Sequence, residues 1–131
     1  MVVVDSSAVI DLLLFRRSAA ALRRRILSER EKLQAPHLID LEVAQVIRRF
    51  ERIGEIEVAR ARIALDHHQQ LPIESHRHDT LLGLIWQLRN NFTAYDAMYV
   101  ALGIALDATL ITADQPLARA AASYLPVEVF A

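Results

Sequence analysis

Two hydrophobic periods alternate along the chain. Val2-Val3-Val4 is a compact β-branched run, and it stops at Asp5-Ser6-Ser7, residue types that cap a following helix. Helical spacing then covers residues 8–15 and 18–30, the second with an apolar stripe of Ala19, Leu22, Ile26 and Leu27. Ala35-Pro36 interrupts the chain. Leu38, Leu41, Val43, Ala44, Val46, Ile47 and Phe50 recur at helical spacing over 38–53, where Gly54 ends the helix. Residues 55–70 read as another amphipathic helix, broken before Pro72, and a brief extended piece follows around Ile73. The pattern next predicts a helix over 79–89, whose Leu82, Ile85, Trp86 and Leu88 fall on one face and are assigned to the core. A turn at Asn90-Asn91, a helix over 93–106, a strand over 109–111, a helix over 115–122 and a closing strand over 127–130 complete the chain.

Short, wholly apolar strands separated by helices describe a buried, mainly parallel sheet. The expected fold is therefore a three-layer α/β/α domain spanning residues 1–131, without an internal repeat. Functional groups in such sheets gather at the carboxyl ends of the strands. Asp5 and Asp114 each follow a strand, so both are expected on that edge.

Composition narrows the chemistry. With 131 residues, one domain is expected. At 53% hydrophobic and 24% charged residues, the chain is not intrinsically disordered. The absence of Cys excludes a disulfide framework, a thiolate zinc site and a cysteine nucleophile. A net charge of −1 gives no overall basic footprint, so any contact with nucleic acid depends on where the charges sit. The N-terminal apolar run lacks a basic flank and is broken by Asp5, unlike a signal peptide. The apolar stretch 94–106 is too short to span a bilayer. A cytoplasmic protein with no membrane association is expected.

The informative residues are acids. Asp5 ends the first strand, Glu42 lies early in the helix after Pro36, Asp96 sits in the first turn of its helix, and Asp114 follows a strand. Each has a local explanation. Asp5 and Asp114 suit helix N-caps, Thr93 with Asp96 fits a capping box, and Glu42 favours a helix N-terminal turn. Taken together, they occupy positions that an α/β fold brings to one rim. Carboxylates converging there repel one another unless a cation neutralises them. Hard oxygen ligands without Cys favour Mg²⁺ or Mn²⁺, the ions used for phosphodiester hydrolysis. Thr112 and Ser6 can supply hydroxyls to such a pocket.

Four segments also carry a family likeness. Val2-Val-Val-Asp5-Ser6-Ser7-Ala8, Pro36 with Glu42 six residues on, Thr93-Ala-Tyr-Asp96-Ala97-Met-Tyr99-Val-Ala101-Leu102, and Leu110-Ile111-Thr112-Ala113-Asp114 follow one another in this order. The chain thereby resembles the PIN-domain ribonucleases, especially the VapC toxins of VapBC toxin–antitoxin systems. That resemblance implies a PIN fold and Mg²⁺- or Mn²⁺-dependent endoribonuclease activity. It also implies a homodimer and inhibition by a cognate VapB-type antitoxin. Asp5 and Asp96 become the principal metal ligands, Glu42 and Asp114 complete the pocket directly or through water, and Thr112 or Ser6 supports it. Asp40 competes for the place of Glu42. Two residues apart on a helix, they cannot face the same way, and the spacing from Pro36 favours Glu42.

Other residues admit two uses. Arg16, Arg17, Arg23, Arg24 and Arg25 are either an RNA-phosphate strip or a solvated face pairing with Glu29 and Glu31. His67, His68, His76 and His78 lack zinc-site spacing and are read as surface or packing residues, with pH sensing or RNA contact as the alternative. Tyr95 and Tyr99 are assigned to core or dimer packing, with base stacking as the alternative. Leu12 to Phe15 carry more apolar surface than a small core buries, which suits a partner helix such as an antitoxin's. A catalytically silent PIN-fold module that binds RNA or protein is the competing function, and four intact acids argue against it. A haloacid-dehalogenase phosphatase would need Asp rather than Ser7 two residues after Asp5. A receiver domain would need a strand-end Lys, whereas Lys32 is the sole lysine.

Overall fold

The computed structural model describes all 131 residues. Five strands, β1 (Val2–Val4), β2 (Leu33–Pro36), β3 (Ile73–His76), β4 (Thr109–Thr112) and β5 (Val127–Val129), form one sheet in the order β3-β2-β1-β4-β5. Every neighbouring pair is parallel. The central strands β1 and β4 are buried apart from half-covered Thr109, as apolar runs covered on both faces require.

Seven α-helices connect the strands. They are α1 (Ser6–Leu13), α2 (Ala19–Ser28), α3 (Ile39–Arg52), α4 (Val58–Gln70), α5 (Leu82–Gln87), α6 (Ala94–Leu106) and α7 (Gln115–Ala121). Chain order runs outward from β1 to β3, then jumps back to β4 and continues outward the other way. Right-handed crossovers put the helices of these two halves on opposite faces of the sheet. Accordingly α1 packs on α2, α3 and α4, whereas α6 lies across β1, β2 and β4 with α5 against it. The reversal falls between β1 and β4, which makes the crevice beyond their carboxyl ends the natural place for a ligand.

Four sequence expectations change. Leu33–Pro36 is a strand in full, paired with both β1 and β3, where Pro36 suggested only an interruption. Its pattern is masked by Gln34, a buried polar residue satisfied by Glu74 and His76. Residues 79–89 begin as a 3-10 turn over Asp79–Leu81 before α5. Within α5, Leu82 and Trp86 lie one turn apart and point outward, at 61% and 66% exposure, because only the narrower stripe of Leu81, Ile85 and Leu88 meets the core. Leu27 and Leu41 also leave their expected stripes and face solvent. Leu12 and Leu13, read as surplus apolar surface, are buried, and of that run only Phe15 is exposed, with Arg23 and Arg60 over its ring.

Candidate functional site

Asp5 follows β1 directly and caps α1, accepting the Ala8 N–H at 3.0 Å through Oδ1. The same oxygen accepts the Ser7 hydroxyl at 2.7 Å, and Oδ2 accepts the Thr112 hydroxyl at 2.6 Å. Of about four lone-pair positions on a carboxylate, three are filled and one is left. Thr112 is the last residue of β4 and wholly buried. Its Oγ1 accepts the Asp114 N–H at 3.0 Å and lies 3.2 Å from Ser7 Oγ, which in turn accepts the Ala113 N–H at 2.9 Å. Two hydroxyls therefore stitch the ends of β1 and β4 together around one carboxylate.

Asp114 caps α7 by accepting the Leu117 N–H at 3.0 Å through Oδ1. Thr93 caps α6 by accepting the Asp96 N–H at 3.2 Å, yet the Asp96 carboxylate makes no bond back to it. The caps at Asp5, Asp114 and Thr93 thus hold, the Asp96 half of the capping box does not form, and one lone-pair position of Asp5, one oxygen of Asp114 and both oxygens of Asp96 stay unused. Glu42, in the first turn of α3, accepts a short hydrogen bond from the buried hydroxyl of Tyr99. Asp40 points elsewhere and pairs with buried His68 at 2.7 Å, so the helix separates the two acids as the spacing demands.

Electrostatics links the four acids. Burial pushes the Asp5 carboxyl up to about 6, against the lowering hydrogen bonds of Thr112, Ala8 and Ser7, and the Asp114 charge adds to the rise. Burial also raises Asp96, with the Asp114 charge in support. Burial raises Glu42, opposed by the Tyr99 bond and reinforced by the Asp96 charge. Tyr99 is held far above the usual phenol range by burial and by Glu42 and Asp5, so it remains a neutral donor. Not one of the four acids pairs with a Lys, Arg or His.

No three acidic or histidine side chains are grouped so as to hold a metal by themselves. Mg²⁺ usually takes one or two carboxylates and keeps several waters, completing its shell with substrate phosphate. An uncompensated set of carboxylates and hydroxyls, without sulfur or imidazole, fits that kind of ion.

Sequence reasoning placed Asp5, Asp96, Asp114, Glu42 and Thr112 on this edge, and the fold brings all five there. Of the two hydroxyls expected there, Thr112 holds Asp5 and Ser6 lies on Glu42 beside Tyr99, and Ser7 is a third that joins Thr112 on Asp5. Helical geometry holds the signal that was missed: in the first turn of a helix, the residue two beyond the N-cap can turn back toward it. Arg49 was also missed. It shares a hollow with Arg16, Ser6 and Ser7 beside Asp5. Arg25 leaves the proposed strip, because it is bound to Glu128 at 2.8 Å and to Glu31 at 2.9 Å. The histidines are packing residues in part, with His68 on Asp40 and His76 on Gln34.

A family model described as PIN domain matches residues 2–123. The chain is 44% identical over 128 residues to a protein of Mycobacterium tuberculosis named Ribonuclease VapC1, covering 97% of this chain and 94% of that one. It is 37% identical over 129 residues to Ribonuclease VapC9 of the same species, covering 98% of each. Among solved structures it is similar to PAE2754 from Pyrobaculum aerophilum, with a TM-score of 0.69 and 23% identity, covering 97% of this chain and 82% of that one. That last likeness bears on the fold alone.

Proposed function

The chain belongs to the PIN-domain family and is an endoribonuclease toxin of the VapC kind, and on that footing we propose that it cuts RNA with a divalent ion held at Asp5, Glu42, Asp96 and Asp114. The observation that carries this reading is a chain of neighbouring carboxylates, with Asp114 near Asp5 and Asp96 and Asp96 near Glu42, none paired with a side-chain cation, at the switch point of a parallel sheet. Binding modules have no use for such concentrated charge, so the silent-module alternative is disfavoured.

Asp5 and Asp96 serve as the principal ligands, with Glu42 and Asp114 acting directly or through water. When bound, Mg²⁺ or Mn²⁺ activates water and offsets charge on the phosphate. The chain's own groups do the rest. Thr112 and Ser7 fix the Asp5 carboxylate so that its free lone pair faces the crevice. Tyr99 fixes Glu42 from below. Arg49, which has no acidic partner, and Arg16, whose exposed guanidinium reaches Glu55 only at 3.8 Å, lie beside Ser6 and Ser7 and supply the positive charge that RNA phosphates need next to an acidic pocket.

The remaining assignments rest on family membership and surface chemistry. Residues 1–131 act as one domain. Leu82 and Trp86, exposed one turn apart on α5, support a homodimer. A groove of about 640 Å³ bordered by Leu12, Phe15, Ile26, Leu27, Leu71 and Pro72 suits an apolar helix of a VapB-type antitoxin. No helix is long and apolar enough to cross a membrane, and a cytoplasmic setting suits an RNA-cutting toxin.

The test is cleavage of a structured RNA pool with Mg²⁺, with Mn²⁺ and with EDTA, beside an Asp5→Ala protein prepared identically. Metal-dependent cleavage that disappears in the variant is expected. Cleavage that persists in Asp5→Ala overturns the site, and RNA binding without any cleavage favours the silent module.

A further inference from the structure

We propose that the hollow beside Glu42 is a nucleobase subsite, in which Tyr95 stacks on a base flanking the scissile phosphate and Gln45 reads its edge. This rests on the RNA-cleaving reading and extends it to substrate specificity. The hollow, of about 420 Å³, is bordered by Ser6, Glu42, Leu38, Leu41, Gln45 and Tyr95, drawn from the starts of α1, α3 and α6. It shares Ser6 and Glu42 with the carboxylate site, so whatever fills it lies within a nucleotide's reach of the reacting phosphate.

The side chains suit a base. Tyr95, immediately before Asp96, leaves its ring 60% exposed, and Leu41 is 67% exposed on the same hollow. Neither contributes to the core, although an aromatic and a leucine are usually drawn inward. A flat π-surface removes both from water, and aromatic stacking tolerates every base. Gln45 is exposed and makes no hydrogen bond within the chain, which leaves an amide carbonyl and two N–H donors for a base edge. Arg16 and Arg49 line the hollow on the other side of Ser6. A strand crossing Ser6 thus meets cations for its backbone on one side and an apolar, amide-bearing recess for a base on the other.

The experiment compares wild type, Tyr95→Ala, Tyr95→Phe and Gln45→Ala on a panel of short RNA oligonucleotides of varied sequence. It records KM and kcat, fluorescence anisotropy with the 2′-O-methyl version of the same oligonucleotides, and sedimentation velocity. Loss of one stacked base weakens binding about tenfold or more, so Tyr95→Ala is expected to raise both KM and Kd by that factor. Tyr95→Phe keeps the ring and is expected to restore binding. Gln45→Ala is expected to relax base preference at one position next to the cut. Wild-type binding by Tyr95→Ala overturns the subsite. So does a loss that accompanies an altered oligomeric state, since the patch would then be an interface between copies. A wild type that neither binds nor cuts RNA overturns the nuclease reading itself, a result separate from normal turnover with an indifferent Tyr95→Ala.

Discussion

Replacing Asp5 by Asn separates the price of the site from its use. Asp5 is 3% exposed, and its carboxyl is raised to about 6 from 3.8. A gap of about 2 pKa units corresponds to about 3 kcal/mol by which the folded, metal-free protein is destabilised once Asp5 is charged. The sign follows from proton binding. Between pH 4 and 6 the native state holds the proton more tightly than the unfolded chain, so stability falls as pH rises through that window and is level above it. Asn carries no charge and escapes this loss. Its amide can also enter the existing network. Nδ2 donates to Thr112 Oγ1, the Thr112 hydroxyl turns to Ser7, and Ser7 and Ala8 still donate to the carbonyl oxygen. One N–H is left over, which costs about 1 kcal/mol. The variant should therefore be about 2 kcal/mol more stable at pH 7, with the advantage shrinking to about zero near pH 4.5. Urea unfolding in EDTA, followed by circular dichroism because Trp86 is already exposed, measures both values. An advantage that does not change with pH, or a variant less stable than wild type at pH 7, would refute the argument.

Three further outcomes follow from named contacts. Tyr99→Phe removes the hydroxyl that holds Glu42, and should lower stability by about 1 kcal/mol while weakening Mn²⁺ binding measured by calorimetric titration. Unchanged Mn²⁺ affinity would remove Tyr99 from the support of the site. Arg25→Met breaks the ties from α2 to Glu128 and Glu31, whose side chains are partly buried, and should cost about 1–2 kcal/mol in a denaturant titration while leaving RNA cleavage intact. A selective loss of RNA affinity instead would return Arg25 to the phosphate strip. Trp86→Arg should leave the fold unharmed, since the ring lies in solvent, and should turn a dimer into a monomer in sedimentation equilibrium.

Much of the fold was legible because the strongest signals were local. Val2–Val4 and Thr109–Thr112 are apolar or β-branched runs that end at Asp5-Ser6-Ser7 and just before Asp114, and they became the middle strand β1 and its neighbour β4. Leu33–Pro36 escaped because its partners lie far along the chain. Gln34 reads as a surface residue until Glu74 and His76 of β3 arrive to satisfy it. Leu82 and Trp86 were misplaced for a related reason. Leu82, Ile85, Trp86 and Leu88 span a wide arc of one helix, and only the half carrying Ile85 and Leu88 is covered, a choice made by packing partners elsewhere in the chain.

The residues proposed for the site stand out in the sequence through a feature that first counts against them. Asp5 and Asp114 occupy good capping positions, and both do cap. Capping uses only part of a carboxylate's capacity, however, and it locks the side chain beside a helix N-terminus at the carboxyl end of a strand. That is where a parallel sheet presents groups to a ligand. A cap and a metal ligand are thus compatible uses of one residue, and the cap removes the rotamer freedom that an ion would otherwise have to freeze. Glu42 depends on a different device, because nothing in its own helix orients it. Its placement comes from Tyr99, 57 residues later in the chain. The family likeness, through the spacing from Pro36, points to Glu42 rather than Asp40, but only the packed fold supplies the Tyr99 hydroxyl that holds it.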